Sequence, residues 1–470
     1  MGIGFTIDTP LKVAIYGIDS SISLVDDILI ERLRKMYCER FQIPYEEISN
    51  NDFDHRAKRI TAYLNLMQDL IEAKFDQIKS ETQKTPGDAE RYFAMLPDSS
   101  SIKQEYYHHK ASDVPWPELK NWIGSNIKLG SIDVNIMTKV DKENYRHNEK
   151  LPTEFNDAHA ALRGYANSKL NSSLILSAGM NPRLYSYIES FDDFYPDKNG
   201  QTKKKLIIKV SDFRSAMIQA RFLAKKGLWV SEFRIESGLN CGGHAFATEG
   251  NLMGPILAQF RDERKSVMPE LAANVRNALS EKERDLPEVL FEPRVTAQGG
   301  VGTSEEHEFM LDHYEVDSVG WGSPFLLVPE ATSVDADTRV RLENAGEQDI
   351  ELSSISPLGV PFQNLVSNTK EAEKQGFIDL GRPGSKCPKR FVALNKEFSD
   401  KGLCTASREY QRLKIKQLQS ADMPEEEYEQ AYENVVNKSC TCVGLGTSAL
   451  LVNNLDTKVE GTGVSVCPGP

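Results

Sequence analysis

The chain has 470 residues, is 40% hydrophobic and carries a formal net charge of −13. That length supports one large core or two to three domains, and the acidic balance excludes nucleic acid or an anionic membrane as the main partner, since both demand a basic face. No window approaches the ~18 consecutive apolar residues of a membrane span, and the N-terminus lacks the layout of a signal peptide, so a cytoplasmic protein is expected.

In chain order, Leu11-Lys-Val-Ala-Ile-Tyr-Gly17 reads as a first strand, followed by a helix from about Leu24 to Tyr37. Residues 42–113 are mainly charged and helical, with apolar residues at three- and four-residue steps from Arg59 to Lys79, and read as a helical insertion. Strand and helix then alternate. Gly130–Met137 precedes a helix at Asp157–Ser168, and Ser173–Gly179 precedes a short helix near Pro182–Ile188. Leu206–Val210 precedes a helix at Phe213–Lys226, and Leu228–Ile235 precedes a helix from about Leu252. Pro293–Gly300 precedes a helix starting at Ser304, and Val316–Gly322 closes the series. About eight such units predict an α/β fold, a (β/α)₈ TIM barrel over residues 1–378, with a Cys-rich extension at 379–470.

Three glycine-rich strand ends carry the chemistry. Gly299-Gly300, followed by Val301-Gly-Thr-Ser304, opens a helix whose free N–H groups suit an anion, with Thr303 or Ser304 as the N-cap. Gly320-Trp-Gly-Ser323 ends the last strand with another open backbone. Taken as strands seven and eight, the two match the phosphate site that barrels build there. Ser237-Gly-Leu-Asn-Cys-Gly-Gly-His244 places paired glycines, which allow close approach to a planar ligand, directly before a histidine able to handle a proton. Lys209 stands in an otherwise apolar strand, where an unpaired ammonium is costly, and this points to a cofactor contact.

The run from Leu206 to Phe246 resembles the strand-helix-strand-GGH segment of nitronate monooxygenases (2-nitropropane dioxygenases) and the related FMN-dependent enoyl reductases. The resemblance continues through VTAQGGVGT (Val295–Thr303), VDSVGWGSPFLLVPEAT (Val316–Thr332) and SSISPLGVPFQNLVSN (Ser353–Asn368), with IDVNIM (Ile132–Met137) and LILSAGMNP (Leu174–Pro182) upstream. It implies an FMN-binding barrel. Gly299, Gly300, Gly322 and Ser323 would cradle the phosphate, and Asn135 and Lys209 would sit by the flavin's pyrimidine edge, where a donor or cation favours reduced flavin. Gly242 and Gly243 would pack on the cofactor, and His244 would move a proton on a small carbon acid or an enoyl-type substrate. The implied activity is that of an FMN-dependent oxidoreductase with a small-molecule or acyl substrate and an electron donor. An NAD(P)H-dependent enoyl-thioester reductase and a non-catalytic phosphate-binding barrel stand as alternatives. Two departures bear on the reaction: Asn240-Cys241 replaces the family's Glu-Ala before Gly-Gly-His, and Tyr16-Gly17 replaces its Pro-Met.

Of the seven cysteines, Cys387, Cys404, Cys440, Cys442 and Cys467 crowd the final quarter. Gathered thiolates bind iron–sulfur clusters or zinc, although these spacings match neither a ferredoxin nor a zinc finger. An iron–sulfur cluster on Cys404, Cys440, Cys442 and either Cys387 or Cys467 is the expectation, with zinc and unligated thiols as alternatives. The closing Val-Ser-Val-Cys-Pro-Gly-Pro470 reads as a strand and turn without a final element, as in a fragment of a longer protein.

Overall fold

The structure is a computed structural model and describes residues 3–80, 87–98, 100–177, 179–236 and 253–468. Helix α1 (Thr9–Val13) runs on through a 3₁₀ turn at Ala14–Tyr16 into strand β1 (Ser20–Ser23) and helix α2 (Asp27–Arg40). Four helices follow: α3 (His55–Ser80), α4 (Asp88–Ala94), α5 (Ser101–Ala111) and α6 (Trp116–Asn126). The alternating region then gives β2 (Ile132–Ile136), α7 (Asp157–Ala166), β3 (Ser172–Leu176), α8 (Pro182–Tyr187), β4 (Lys204–Val210), α9 (Phe213–Ala224) and β5 (Val230–Ile235). It continues with α10 (Met253–Glu281), β6 (Arg294–Gln298), α11 (Ser304–Tyr314) and β7 (Ser318–Gly320).

These seven strands form one parallel sheet in sequential order, β1 to β7. Sequential parallel neighbours joined through helices make a mixed α/β fold, and the sheet curls into a half-barrel. Among the described residues the sheet has seven strands, and the expected eight-stranded closure is not formed. The segment read as the first strand, Leu11–Gly17, is helical: Pro10 sits in the first turn of α1, where its missing N–H costs nothing, and Gly17 ends the run at φ 76°. Leu11, Val13, Ala14, Ile15 and Tyr16 are all buried, so this helix reads as a continuous apolar run, which periodicity cannot tell from a buried strand. The loops expected after strands seven and eight therefore follow β6 and β7. Between β7 and β1, α1 meets the segment after β7: Thr9 Oγ1 donates to the Ala331 carbonyl at 2.6 Å and Lys12 Nζ to Ser333 Oγ at 2.9 Å. Ser333 N–H also donates to the Phe5 carbonyl at 2.7 Å.

Each strand presents alternate residues to opposite faces. Ile132, Val134, Ile136, Leu174, Leu176, Leu206, Ile208, Phe233, Ile235, Val295 and Ala297 join the main apolar core with residues of α7, α9 and α10. Asp133, Asn135, Lys209, Glu232, Arg234, Glu236, Thr296 and Gln298 line the inside of the curl instead. The sheet is thus apolar outside, under its helices, and mainly polar within, with Ile175 and Ile207 among the inner residues.

After β7 come α12 (Ala336–Glu343), the hairpin β8 (Ile350–Ser353) and β9 (Phe362–Leu365), and helices α13 (Thr369–Asp379), α14 (Arg408–Gln419), α15 (Glu425–Val436) and α16 (Thr441–Val452). A second apolar cluster joins Ile3 and Phe5 to Phe362, Leu365, Val443, Leu445, Val464 and Val466. Helix α16 is buried from Thr441 to Leu450. The stretch Glu425–Val452 is long and apolar enough to cross a membrane by length and composition, but 72% of its most apolar window is covered by the fold itself. Close packing there rests on glycine: the Gly4 N–H donates to the Leu445 carbonyl at 2.7 Å, and a Cβ on Gly4 would stand 2.9 Å from Gly446 Cα. Ion pairs fasten the Cys-rich segment to α2 and its N-cap, from Lys389 to Asp26 (2.6 Å) and from Glu460 to Arg32 (3.2 Å), and Lys389 also pairs with Glu460 within the segment (3.3 Å).

Candidate active site: a polar cavity inside the curled sheet

The inside of the half-barrel holds a cavity of about 1570 Å³. Small-molecule sites usually span roughly 300–1,000 Å³, so this one has room for a cofactor and a substrate together. Its walls are the inner residues of the sheet, α1 with the following turn, and the segment Gly320–Thr332.

Toward the N-terminal ends of the strands, a charged girdle braces the lumen. Arg234 Nε donates to Glu232 Oε1 at 2.8 Å, and its guanidinium lies 3.7 Å from Asp133 on the far side of β3 and β4. Glu232 Oε1 also accepts from Thr296 Oγ1 at 2.6 Å. Asp133 accepts from Ser131 Oγ at 3.1 Å and from the Ser173 N–H at 3.2 Å. Burial pushes the Asp133 carboxyl above its ordinary range, against the opposing pull of Arg234.

Nearer the C-terminal ends, Lys209 Nζ pairs with Glu236 Oε2 at 2.9 Å, which meets the cost of a lysine in this strand. Among the described residues, the other Glu236 oxygen, Oε1, is buried without a hydrogen-bond partner, and so is Asn135 Oδ1. An unsatisfied buried acceptor costs about 1–3 kcal/mol, so two on one cavity wall mark where a donor is missing.

The glycine loops form the rim. Gly299 and Gly300 have φ of 71° and 76°, a left-handed backbone that favours glycine, and the Gly299 N–H donates to the Gly320 carbonyl at 2.9 Å. Thr303 is the N-cap of α11 in a capping box with Glu306. The Glu306 carboxylate accepts from the N–H groups of Gly302 (2.6 Å) and Thr303 (3.2 Å), so an internal anion already occupies this helix start. Among the described residues the N–H groups of Gly300 and Val301 have no partner. The Ser323 hydroxyl donates to the Pro468 carbonyl.

Asn135, Lys209, Gly299, Gly300, Gly322 and Ser323 thus line one cavity, and Cys467 joins them. Gly242, Gly243 and His244 lie outside the described residues. Sequence reasoning did not single out Glu236, Glu232, Arg234 or Asp133. Their signal was the polar residue at every second position of Glu232-Phe-Arg-Ile-Glu236 and of Asp133-Val-Asn135.

Cys387, Cys404, Cys440 and Cys442 are buried in the second apolar cluster, where Cys467 also packs. The neighbouring Cys404 holds the Cys387 thiol below its ordinary range, while the Cys404 and Cys442 thiols are pushed well above theirs by their partners Cys387 and Cys440 and by burial. The bond from Cys442 pulls the Cys440 thiol down to about 7 against its burial. Among the described residues, no three His, Cys, Asp or Glu side chains converge so as to hold a single metal ion.

The fold and cavity define a mixed α/β protein with a polar chamber inside a curled parallel sheet. No protein-family model and no curated protein sequence matches the chain. One solved structure to which it is similar is the enoyl reductase domain of MlnA from the macrolactin biosynthesis cluster of Bacillus amyloliquefaciens. The match has a TM-score of 0.33 and 14% identity, and covers 78% of this chain and 82% of that one.

Proposed function

We propose that the protein is an FMN-dependent oxidoreductase of the nitronate monooxygenase-like group, acting in the cavity of the curled sheet. The observation that carries this reading is the pair of unpartnered buried acceptors, Asn135 Oδ1 and Glu236 Oε1, on the same wall as the Lys209 ammonium. A flavin's pyrimidine edge presents one N–H between two carbonyls, so it needs an acceptor flanked by donors. Asn135 or Glu236 would accept from the N–H, while Lys209 and the Asn135 amide nitrogen would face the carbonyls.

The rim fits the phosphate end. Gly300 and Val301 offer N–H groups, and Gly299, Gly300, Gly320 and Gly322 line the cavity with no side chain of their own, Trp321 standing between the last two. Glu306 closes the helix start to a second anion, which moves the expected phosphate position onto Gly300 and Val301. Bound FMN would supply hydride or single-electron transfer. Lys209 would stabilise negative charge on the bound ring, and the Asp133–Arg234–Glu232 girdle would keep the inner lumen rigid. His244, assigned from its place after Gly242-Gly243, would move the substrate proton.

Absorbance of the anaerobically purified, FMN-supplemented protein tests the reading. Flavin bands are expected, and Asn135→Ala with Lys209→Met should empty the site while the fold persists. Folded protein without flavin bands sinks the proposal. Oxygen uptake with a nitronate, without a nicotinamide, is the expected activity. NAD(P)H oxidation with an enoyl thioester would instead make the chain an enoyl reductase, and His244→Ala should abolish turnover while leaving flavin content unchanged.

A further inference from the structure

We propose that Trp321 packs its indole against the isoalloxazine ring of the bound flavin, and that His307 is the positioning residue that fixes the indole for this contact. This inference rests on the flavin reading of the cavity and adds an aromatic wall to it. The glycines of Gly320-Trp-Gly322 belong to the phosphate end, but the tryptophan between them has no part in that role. Trp321 is half-buried, follows β7 at the C-terminal end of the sheet and lines the same cavity as Asn135, Lys209, Gly299 and Gly300. The polar edge of a flavin finds its partners in Asn135, Lys209 and Glu236. Its benzenoid end is apolar and can only be packed, for which an aromatic ring is the best partner.

Backbone and side chain are both held in place. Before Trp321, the Gly320 carbonyl accepts from the Gly299 N–H at 2.9 Å, and a Cβ on Gly320 would collide with the Gln298 amide. After it, the Gly322 carbonyl accepts from the Phe325 N–H at 3.1 Å and opens a 3₁₀ turn at Ser323–Leu327. The indole N–H donates to His307 Nδ1 at 2.9 Å, and the two ring centroids lie 5.8 Å apart with their planes 29° from parallel. An indole nitrogen can only donate, so Nδ1 presents its lone pair and the imidazole proton sits on Nε2. His307 stands in the first turns of α11, where its N–H donates to the Thr303 carbonyl at 3.2 Å, and the capping box of Thr303 and Glu306 fixes that helix start. A ring fixed before its ligand arrives loses little side-chain entropy on binding, which favours the contact over one made by a free surface tryptophan.

Flavin fluorescence of the full chain titrated with FMN tests the contact. An indole touching a flavin quenches its emission, because it gives an electron to the excited ring and takes it back. Trp321→Phe should raise the emission per bound FMN severalfold over the parent, and Trp321→Leu should also weaken FMN binding about tenfold. His307→Leu should raise the emission too, whereas His307→Asn, whose amide oxygen can accept from the indole, should restore the quenching. A purely structural role for the pair would change affinity without changing the emission of the flavin that stays bound. Trp229 is the control: it lines the cavity just before β5, at the opposite end of the sheet, and its indole donates to the Phe291 carbonyl at 3.0 Å. Trp229→Phe should leave the emission as in the parent. Bound FMN as dark in Trp321→Phe as in the parent, or emission released by Trp229→Phe instead, overturns this inference and leaves the flavin reading standing. A folded parent chain that binds no FMN overturns both. The two His307 variants decide the matter even where a Trp321 variant fails to fold.

Discussion

Replacing Asp27 with Asn removes one negative charge from a site where it serves two buried guanidinium groups. Asp27 Oδ1 accepts from Arg56 at 2.6 Å and Oδ2 from Arg59 at 2.9 Å. Arg56 spends its remaining donors on the carbonyls of Leu24, Val25 and Asp157, each at 3.0 Å, so it pins α3 to the junction of β1 and α2 and to the start of α7. Asparagine keeps the volume, so no cavity term enters. Losing one partner of a buried ion pair costs about 3–5 kcal/mol, and the carbonyls and Asp157 that still face Arg56 place the expected loss near the lower end. Burial alone would raise the Asp27 pKa, but Arg56 and Arg59 outweigh it and hold the carboxyl below its ordinary 3.8. A depressed carboxyl contributes stability above its unfolded pKa and loses it as pH falls through the folded one. Urea unfolding followed by tryptophan fluorescence and circular dichroism should therefore show a gap between parent and Asp27→Asn that is full at pH 6 and shrinks below pH 4. A loss under about 1 kcal/mol at pH 6, or a gap that widens in acid, would refute the reasoning.

Other expectations follow from the same geometry. Asn135→Ala alone should weaken FMN binding roughly tenfold, the worth of about one buried hydrogen bond, as read by flavin fluorescence titration. Lys204 is fully buried, bonded to the carbonyls of Tyr165 (3.2 Å) and Ser168 (2.8 Å), and burial pushes its pKa down from 10.5 to about 7. The unfolded chain then holds this proton over a range where the folded one does not, so stability should climb between about pH 7 and 10.5 in the parent relative to Lys204→Met. A pH-independent difference would contradict this. Gly130 donates its N–H to the Ala14 carbonyl at 2.8 Å, and a Cβ there would collide with the Ile18 carbonyl. Gly130→Ala should cost about 1–3 kcal/mol and lower flavin occupancy with it, as thermal unfolding and absorbance together would report.

The alternation from Gly130 onward was legible because the outward strand faces are apolar, mostly Ile, Leu and Val with Phe233 and Ala297, and several following helices carry a capping residue: Asn181 caps α8, Asp212 α9 and Thr303 α11. The half-barrel's closure was not legible. Leu11–Tyr16 is buried except for Lys12, so its composition says "inside" without saying "helix". Lys209 and Asn135 were visible as polar residues in apolar strands, yet the partner of Lys209, Glu236, lies two positions past Arg234 on the neighbouring strand, and only the parallel register brings it alongside. The cysteines were legible as a group but not as pairs, because their pairing depends on loops that meet through tertiary packing.

The contacts that fasten the C-terminal third of the chain to its first helices join parts made far apart in time. Thr9 bonds to Ala331 across 322 positions, Lys389 to Asp26 across 363 and Arg32 to Glu460 across 428. Contacts this distant in sequence form slowly, and none of them can exist on the ribosome until the later partner emerges. The sheet from β1 to β7 can be synthesised as a trough with its polar lining exposed, and the wall at Leu445, Cys467 and Pro468 is added last. The cavity wall is therefore complete only once the residues around Pro468 have emerged, and a newborn chain stalled before α16 should be a target for chaperones.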